Sequence, residues 1–303
     1  MGVPIDTRRV HDTPVNGLAF GQNERTVYTG ASDGAVAQWD RTEGGIEPQV
    51  VTFNSPVEFG NVSALTVDSF ATHLVVGYSS GIVRLFRIPD GDIYLTSELH
   101  TDLVADLATH PLGGTVLSAS YDSKISIWQY QSNEPPTVIE PPRSTPQAAV
   151  AYAPTGDQFA VAGVETPASI WETASLDETP RVLGHPLTTL LALEYVPSTG
   201  ELVAVDMEGV VRLYELESGT ESQRIHVGEN GEYPLAVARS EPLVAVGTDE
   251  SLNIYDLSTG DLVGYHRVPD AGVFSVAFSP ENQCVAVGCG DGEIRVYATP
   301  SIK

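Results

Sequence analysis

Apolar and polar residues alternate in short runs along the whole chain, a pattern typical of half-buried β-strands, and helical periodicity is absent. Seven of these runs are rich in β-branched residues and end on an aromatic residue: Trp39, Phe86, Trp128, Trp171, Tyr214, Tyr255 and Tyr297. The successive intervals are 47, 42, 43, 43, 41 and 42 residues. This near-constant period indicates seven copies of one structural repeat.

A repeat of this length, built from four short strands, is typical of a propeller blade. We therefore predict an all-β fold, a seven-bladed β-propeller with four-stranded antiparallel blades, in which each sheet is buried against its neighbours. Seven blades occupy essentially all 303 residues, which predicts a single domain over residues 1–303. Only six residues follow Tyr297, too few for an outer strand, so we expect residues 5–10 to supply that strand and close the ring.

A second position supports the period, because the residue six places before the closing aromatic is acidic in six of seven repeats. The residues at this position are Asp33, Ser80, Asp122, Glu165, Glu208, Asp249 and Asp291, of which Ser80 is the exception. The spacing resembles that of the WD-repeat family of β-propellers. The resemblance implies that a histidine, a second-strand hydroxyl, this aspartate and the tryptophan form a hydrogen-bonded set that locks a blade. The residues that match it are His11, Thr29, Asp33 and Trp39 in blade one, and His100, Ser118, Asp122 and Trp128 in blade three; His185 and His226 are further candidate histidines.

The chain is strongly acidic, with 40 Asp and Glu against 15 Lys and Arg and a net charge of −25. Only Lys124 and Lys303 are lysines. Such a surface is expected in a halophilic organism with a salt-rich cytoplasm, where repulsion is screened; an ordinary acidic propeller is the alternative. The charge argues against a nucleic-acid partner, which needs clustered Lys and Arg. Without a signal-length apolar segment or an 18-residue apolar run, we expect a cytoplasmic protein with no membrane partner.

Candidate catalytic motifs have structural explanations. Two G-x-S-x-G patterns, at residues 30–34 and 77–81, resemble a hydrolase nucleophile elbow, but each precedes a predicted strand instead of a helix. Cys284 and Cys289 are five residues apart on one predicted strand and point to opposite faces, so they cannot pair. We therefore predict no enzyme activity and no cofactor. The alternative is a propeller enzyme of the lactonase type with a metal in the channel, proposed by analogy of fold.

Surface positions then decide the predicted function. In WD-repeat propellers the partner usually lies on the top face, formed by the loops before the inner strands and the turns between second and third strands. Aligning the inner strands on Val15, Val62, Val104, Ala148, Leu190, Pro234 and Val273 makes these positions polar in blades one and two and apolar in blades five to seven. The predicted contact residues for a protein or peptide partner are Leu103, Tyr121, Leu191, Met207, Tyr233, Leu235 and Phe274. The alternative is that some of these side chains fill the channel as core. The oligomeric state, and whether the proline-rich segment 131–147 is a docking epitope or a spacer, stay open.

Overall fold

The computed structural model describes residues 3–42, 45–47, 51–53, 57–141, 143–184, 188–229 and 231–300. The first strand is β1 (Asp6–Arg9), and blade one contains β2 (Val15–Phe20), β3 (Thr26–Ala31), β4 (Val36–Thr42), β5 (Gly45–Ile46) and β6 (Val51–Phe53). A 3-10 helix over Val57–Phe59 leads to blade two, which contains β7 (Val62–Val67), β8 (His73–Tyr78), β9 (Ile82–Arg87) and β10 (Ile93–Glu98). Blade three contains β11 (Val104–Thr109), β12 (Val116–Ser120), β13 (Ile125–Trp128) and β14 (Thr137–Ile139).

The remaining blades follow the same order. Blade four contains β15 (Gln147–Tyr152), β16 (Gln158–Gly163), β17 (Thr166–Glu172) and β18 (Arg181–Val182). Blade five contains β19 (Leu190–Tyr195), β20 (Leu202–Asp206), β21 (Val210–Glu215) and β22 (Thr220–His226). Blade six contains β23 (Leu235–Val237), β24 (Leu243–Gly247), β25 (Ser251–Asp256) and β26 (Leu262–Arg267), and blade seven contains β27 (Val273–Phe278), β28 (Cys284–Cys289) and β29 (Glu293–Ala298). The seven sheets confirm the predicted all-β propeller of antiparallel blades.

The ring is closed by the first strand of the chain. Strand β1 pairs antiparallel with β29, from Asp6 opposite Val296 to Arg9 opposite Glu293, and completes the blade seven sheet in the order β1-β29-β28-β27. The predicted N-terminal strand is therefore confirmed, two residues shorter than residues 5–10. Its pairing covers the edge that β29 would otherwise expose.

The hydrophobic core lies between the blades, not within them. Seven buried clusters each combine side chains of two neighbouring blades, including the closure between blades seven and one, where Phe20 and Trp39 pack with Ile294. All seven closing aromatics are buried in these interfaces. Alternation along each strand explains this arrangement, because successive side chains point to opposite faces and each face meets a different blade.

A bulge at the start of the inner strands sets which side chains face the channel. In blade one Val15 pairs with Ala31 and Gly17 with Gly30, so Asn16 is an extra, unpaired residue. The same pairing pattern recurs in five other blades, whose bulge residues are Ser63, Ala105, Ala148, Leu191 and Phe274. In blade six, β23 pairs with β24 without a register shift.

The predicted alignment is therefore wrong in two blades. In blade four the strand begins at Gln147, which pairs with Gly163, so Ala148 is the bulge residue and the alignment is off by one. In blade six the N–H of Gly247 donates to the carbonyl of Pro234, which places Pro234 where Gly17 lies in blade one. This shift of two residues moves Leu235 into the position of a core side chain.

Candidate interaction surface

We call top face the end of the ring at which the inner strands begin. The turns between second and third strands lie at this end, because the N–H of Tyr121 donates to the carbonyl of Leu103 over 3.1 Å and that of Met207 to Thr189 over 3.0 Å. The same backbone contact recurs at Ser32 and Ser79. The turns and the strand entrances therefore form one continuous rim around the channel.

Three of the seven predicted contact residues are exposed apolar side chains on this rim. Tyr121, Met207 and Phe274 are 47%, 45% and 41% exposed, respectively. Leu103 and Leu191 are half-buried and line the mouth of the channel beneath them. Together these five residues provide an apolar surface around the top mouth.

The other two predicted contact residues are core. Leu235 is 8% exposed and packs in the cluster between blades five and six. Tyr233 is 4% exposed and belongs to the same cluster. Its hydroxyl packs against Gly209, only 2.8 Å from the point where a side chain at that position would place its Cβ. Leu235 is corrected because the two-residue shift of blade six takes it from the bulge position into the regular part of the strand, where it pairs with Val246. Tyr233 is corrected by its burial.

The inner strands enclose a channel of about 1030 Å³. Its lining includes four carboxylates: Glu232 at the top mouth, Asp68 beyond the end of β7, and Asp106 and Glu194 within the inner strands. Sequence reasoning missed the two within the strands. Asp106 accepts hydrogen bonds from the N–H groups of Leu107 (2.8 Å) and Val150 (2.9 Å), and Glu194 accepts one from Val237 (2.9 Å). Each carboxylate therefore joins its inner strand to that of the next blade. The signal that could have identified them is a single acid in an otherwise uncharged inner strand.

Desolvation in the channel wall changes the acidity of both groups. Burial raises the pKa of Asp106 to about 7, against the opposing effect of its two backbone hydrogen bonds. Burial likewise raises the pKa of Glu194 to about 8, and the nearby charge of Asp106 raises it further. The channel therefore holds two carboxyl groups that titrate near neutral pH.

The blade-locking residues form two different arrangements. In blade one, Nε2 of His11 lies 2.7 Å from Oγ1 of Thr29, and the indole N–H of Trp39 donates to the same oxygen over 2.9 Å. Asp33 is exposed, and its carboxylate accepts from the N–H of Ala35 within its own turn. The structure therefore brings three of the four residues into one network and leaves the aspartate at its edge.

In blade three the aspartate is part of the network. Nδ1 of His100 lies 3.1 Å from Oδ2 of Asp122, and Nε2 lies 2.7 Å from Oγ of Ser118. The carboxylate also accepts from the N–H groups of Thr101 and Lys124. Burial alone would raise the pKa of Asp122, but these hydrogen bonds and His100 hold it below its ordinary value. Trp128 is buried in the interface between blades two and three.

Other blades contain different polar contacts. His226 is exposed at the end of β22, so it is wrong as a locking residue, and His185 lies outside the described residues. Blade five instead buries Asp206 against Arg212, with Oδ2 and Nη2 2.7 Å apart. Arg84 in blade two lies over the Phe59 ring, and Arg295 in blade seven contacts Asp291 over 2.6 Å. Each of these arginines lies two residues before a closing aromatic and covers a blade face.

The glycines of the G-x-S-x-G patterns serve the fold. A Cβ added at Gly30 or Gly77 would lie 2.4 or 2.6 Å from a valine methyl carbon of the next blade, so only glycine fits these contacts. Each pattern is followed by a third strand, not a helix. Cys284 and Cys289 are free and buried, in clusters on opposite faces of β28. These residues are explained by packing.

Within the described ranges, no group of three or more His, Cys, Asp or Glu side chains is arranged to hold a metal ion. No helix in the same ranges has the length and apolar content needed to cross a membrane.

Comparison with known proteins supports the class of fold. The model of the WD domain, G-beta repeat, matches residues 2–40, 91–129 and 261–298. These WD40 repeats, together with the seven-bladed β-propeller, support the WD-repeat family. The chain is 24% identical over 292 residues to ribosome biogenesis protein YTM1 of Coprinopsis cinerea, covering 91% of this chain and 62% of that protein.

Two further relatives match shorter regions. Identity to Denticleless protein homolog B of Xenopus laevis is 34% over 99 residues, covering 30% of this chain and 14% of that protein. Identity to human striatin is 25% over 126 residues, covering 39% of this chain and 16% of striatin. The chain therefore spans less than two thirds of the length of these relatives.

Proposed function

We propose that this chain is a non-enzymatic interaction scaffold that binds a protein or peptide partner on its top face. The WD40 repeats and the propeller fit a protein-interaction role. The observation that carries the proposal is that three exposed apolar side chains, Tyr121, Met207 and Phe274, lie at the top face, one each on blades three, five and seven. In a chain with a net charge of −25, an exposed apolar surface of this kind marks an interaction site.

We further propose that the protein works in the cytoplasm of a halophilic organism. The support is compositional, because acidic residues greatly outnumber basic ones and lysine is nearly absent. Nucleic acid and membrane partners are not part of the proposal, since the charge disfavours phosphate binding.

The test is affinity capture from the native host at high salt, with bound proteins identified by mass spectrometry. The variant Met207→Asp with Phe274→Asp should lose the captured partner while its melting temperature stays near that of the wild type, because both side chains are exposed. Phe70→Asp is the matched control, since Phe70 is 57% exposed in the turn at the opposite end of blade two. Capture that survives the double substitution would contradict the top face assignment. Stoichiometric calcium or zinc in the purified protein would favour the enzyme alternative.

A further inference from the structure

The apolar surface of the top face is bordered by carboxylates. Asp102 precedes Leu103, Glu208 follows Met207, and both acids are exposed. Glu232 is also exposed and lines the same mouth. The surface therefore combines apolar contact area with a negative border, and the charge of the border disfavours an acidic partner.

Two of the cations, Lys124 and Arg9, are already close to carboxylates. Nζ of Lys124 lies 3.6 Å from Oε1 of Glu140, and Nε of Arg9 lies 3.7 Å from Oδ1 of Asp12. Among the described residues that line the channel, the one Lys or Arg is Arg239, which follows β23 at the opposite mouth. Negative charge at the top mouth is therefore not balanced from within the channel.

Two ionisable carboxyl groups lie further inside the channel. Asp106 lies in β11, in the same blade as Tyr121, and Glu194 lies in β19, in the same blade as Met207. Glu194 uses Oε2 to accept from Val237. Its second oxygen accepts no hydrogen bond from the described part of the chain, and Glu194 is one of the residues that line the channel. This oxygen can accept from a ligand without displacing the contact between blades.

We infer that the partner presents a cationic segment, whose apolar side chains lie on Tyr121, Met207 and Phe274 and whose Lys or Arg side chain enters the channel toward Asp106 and Glu194. This inference rests on the proposed function and specifies its partner. Apolar anchors supply contact area, and a cation that enters a wall of low dielectric meets carboxylates where their attraction is strongest. An acidic or purely polar segment would lack one or both interactions.

The channel carboxyls should make binding of the cationic partner depend on pH. In the free protein Asp106 and Glu194 have pKa values of about 7 and about 8, and a bound cation favours their ionised forms. Binding therefore releases protons, and affinity should rise as the pH increases from 6 to 9.

The surrounding elements contribute few other groups that titrate in this range. Strands β7, β12, β16 and β23 carry no titratable side chain. Tyr152 of β15 and Tyr195 of β19 stay neutral because burial raises the pKa of each phenol. Asp206 ends β20 and is paired with Arg212, and Glu232 and Arg239 lie at the two mouths. Burial alone would raise the pKa of Asp68, beyond the end of β7, but hydrogen bonds from His73 and Thr72 hold it below its ordinary value. The pH dependence should therefore report mainly on the two channel carboxyls.

The experiment uses the full chain and a display library of random dodecapeptides, selected in molar KCl. We expect the enriched peptides to combine Lys or Arg with large apolar residues. Phe274→Asp should weaken their binding by about tenfold or more, as for an anchor residue. This variant adds a negative charge, so binding by charge attraction alone would be unchanged or stronger. Phe70→Asp, with the same charge change at the opposite end, should leave affinity unchanged.

Glu194→Gln tests the channel carboxyl separately. The glutamine carbonyl can still accept from Val237, so the contact between blades is retained, and an unchanged melting profile at pH 5 would check this. Affinity for the enriched peptides should fall severalfold at pH 9, and its rise with pH should become shallower. An equal pH dependence in the wild type and Glu194→Gln would contradict entry of the cation into the channel.

The outcomes separate this inference from the proposed function. Neutral or acidic peptides that are lost on Phe274→Asp would overturn the cationic partner and leave the top face as the binding site. Peptides that are insensitive to Phe274→Asp but lost on Phe70→Asp would overturn both. A wild-type chain that enriches no peptide would also overturn the inference.

Discussion

The equivalent aspartates of blades one and three, Asp33 and Asp122, differ in their hydrogen bonds. Asp122 connects the histidine of its blade, the N–H of Thr101 at the blade entrance and the N–H of Lys124 in its own turn. Asp33 occupies the equivalent position in blade one, but it is exposed and bonds within its own turn. The two aspartates therefore contribute differently to the free energy of unfolding, because burial determines the cost of leaving a polar group without a partner.

The first prediction compares these two aspartates. Asp122→Ala should lower the free energy of unfolding by about 1 to 3 kcal/mol, since it leaves buried donors without an acceptor. Asp33→Ala should cost less than about 1 kcal/mol, because water can replace its single contact. Chemical denaturation at pH 7 measures both. Equal losses in the two variants would contradict the proposed structural role of Asp122, as would lost partner binding at unchanged stability.

Acidification should remove the contribution of Asp122. Its pKa is lower in the folded protein than its ordinary value, so the folded state binds the proton less readily than the unfolded chain. The stability from this group is therefore present above its unfolded pKa and is lost as the pH falls through its folded pKa. In Asp122→Ala this part of the pH dependence should be absent.

At the scale of the strand, the closing aromatics were sufficient to predict the blades. A buried aromatic at the end of each third strand is visible in the sequence because its spacing is set by the length of the blade. The register of the inner strands was not visible to the same extent. The bulge adds one unpaired residue, and blade six has a short β23 preceded by Pro234, which has no N–H to donate. Leu235 therefore looked like a surface residue although it is core.

Only part of the candidate site could be predicted, because the register of the inner strands is not visible in the sequence. Tyr121 and Met207 lie in turns counted back from the closing aromatics, and the structure places both on the exposed rim. Asp106 and Glu194 were missed because their significance depends on which face of the strand meets the channel. That face follows from the bulge and from the pairing with the next strand, neither of which a single sequence specifies.

The second prediction concerns the ion pair that stabilises blade five. Arg212 contacts Asp206 over 2.7 Å and Glu221 over 2.8 Å, and the Asp206 side chain is fully buried. Arg212→Met should lower the free energy of unfolding by about 3 kcal/mol, because it leaves a buried carboxylate without its counter-charge. Thermal unfolding followed by circular dichroism measures this.

Arg224→Ala is the matched control for that substitution. Arg224 contacts the same Glu221 over 2.7 Å but is largely exposed. Its removal should leave the melting temperature unchanged, since exposed ion pairs contribute little. If both variants melted at the same temperature, the buried pair would not be the stabilising contact.

The third prediction belongs to the whole molecule. The excess of 25 negative charges is spread over a closed ring, and mutual repulsion favours the expanded chain. Raising KCl from 0.1 to 3 M shortens the screening length from about 10 Å to below about 3 Å, so the melting temperature should rise steeply across this range. A melting temperature that is flat across the series would contradict the proposed halophilic adaptation.

The pairing of β1 with β29 also has a consequence for the order in which the ring is completed. Translation produces β1 before its partner β29, so the sheet of blade seven cannot be completed until residue 298 has left the ribosome. Blades one to six can stack on one another during elongation, while the segment Asp6–Arg9 waits without its partner strand. Its sequence, Asp-Thr-Arg-Arg, is entirely polar and suits this long exposure to water. The strand that closes the ring is thus suited to remain unpaired until β29 has been made.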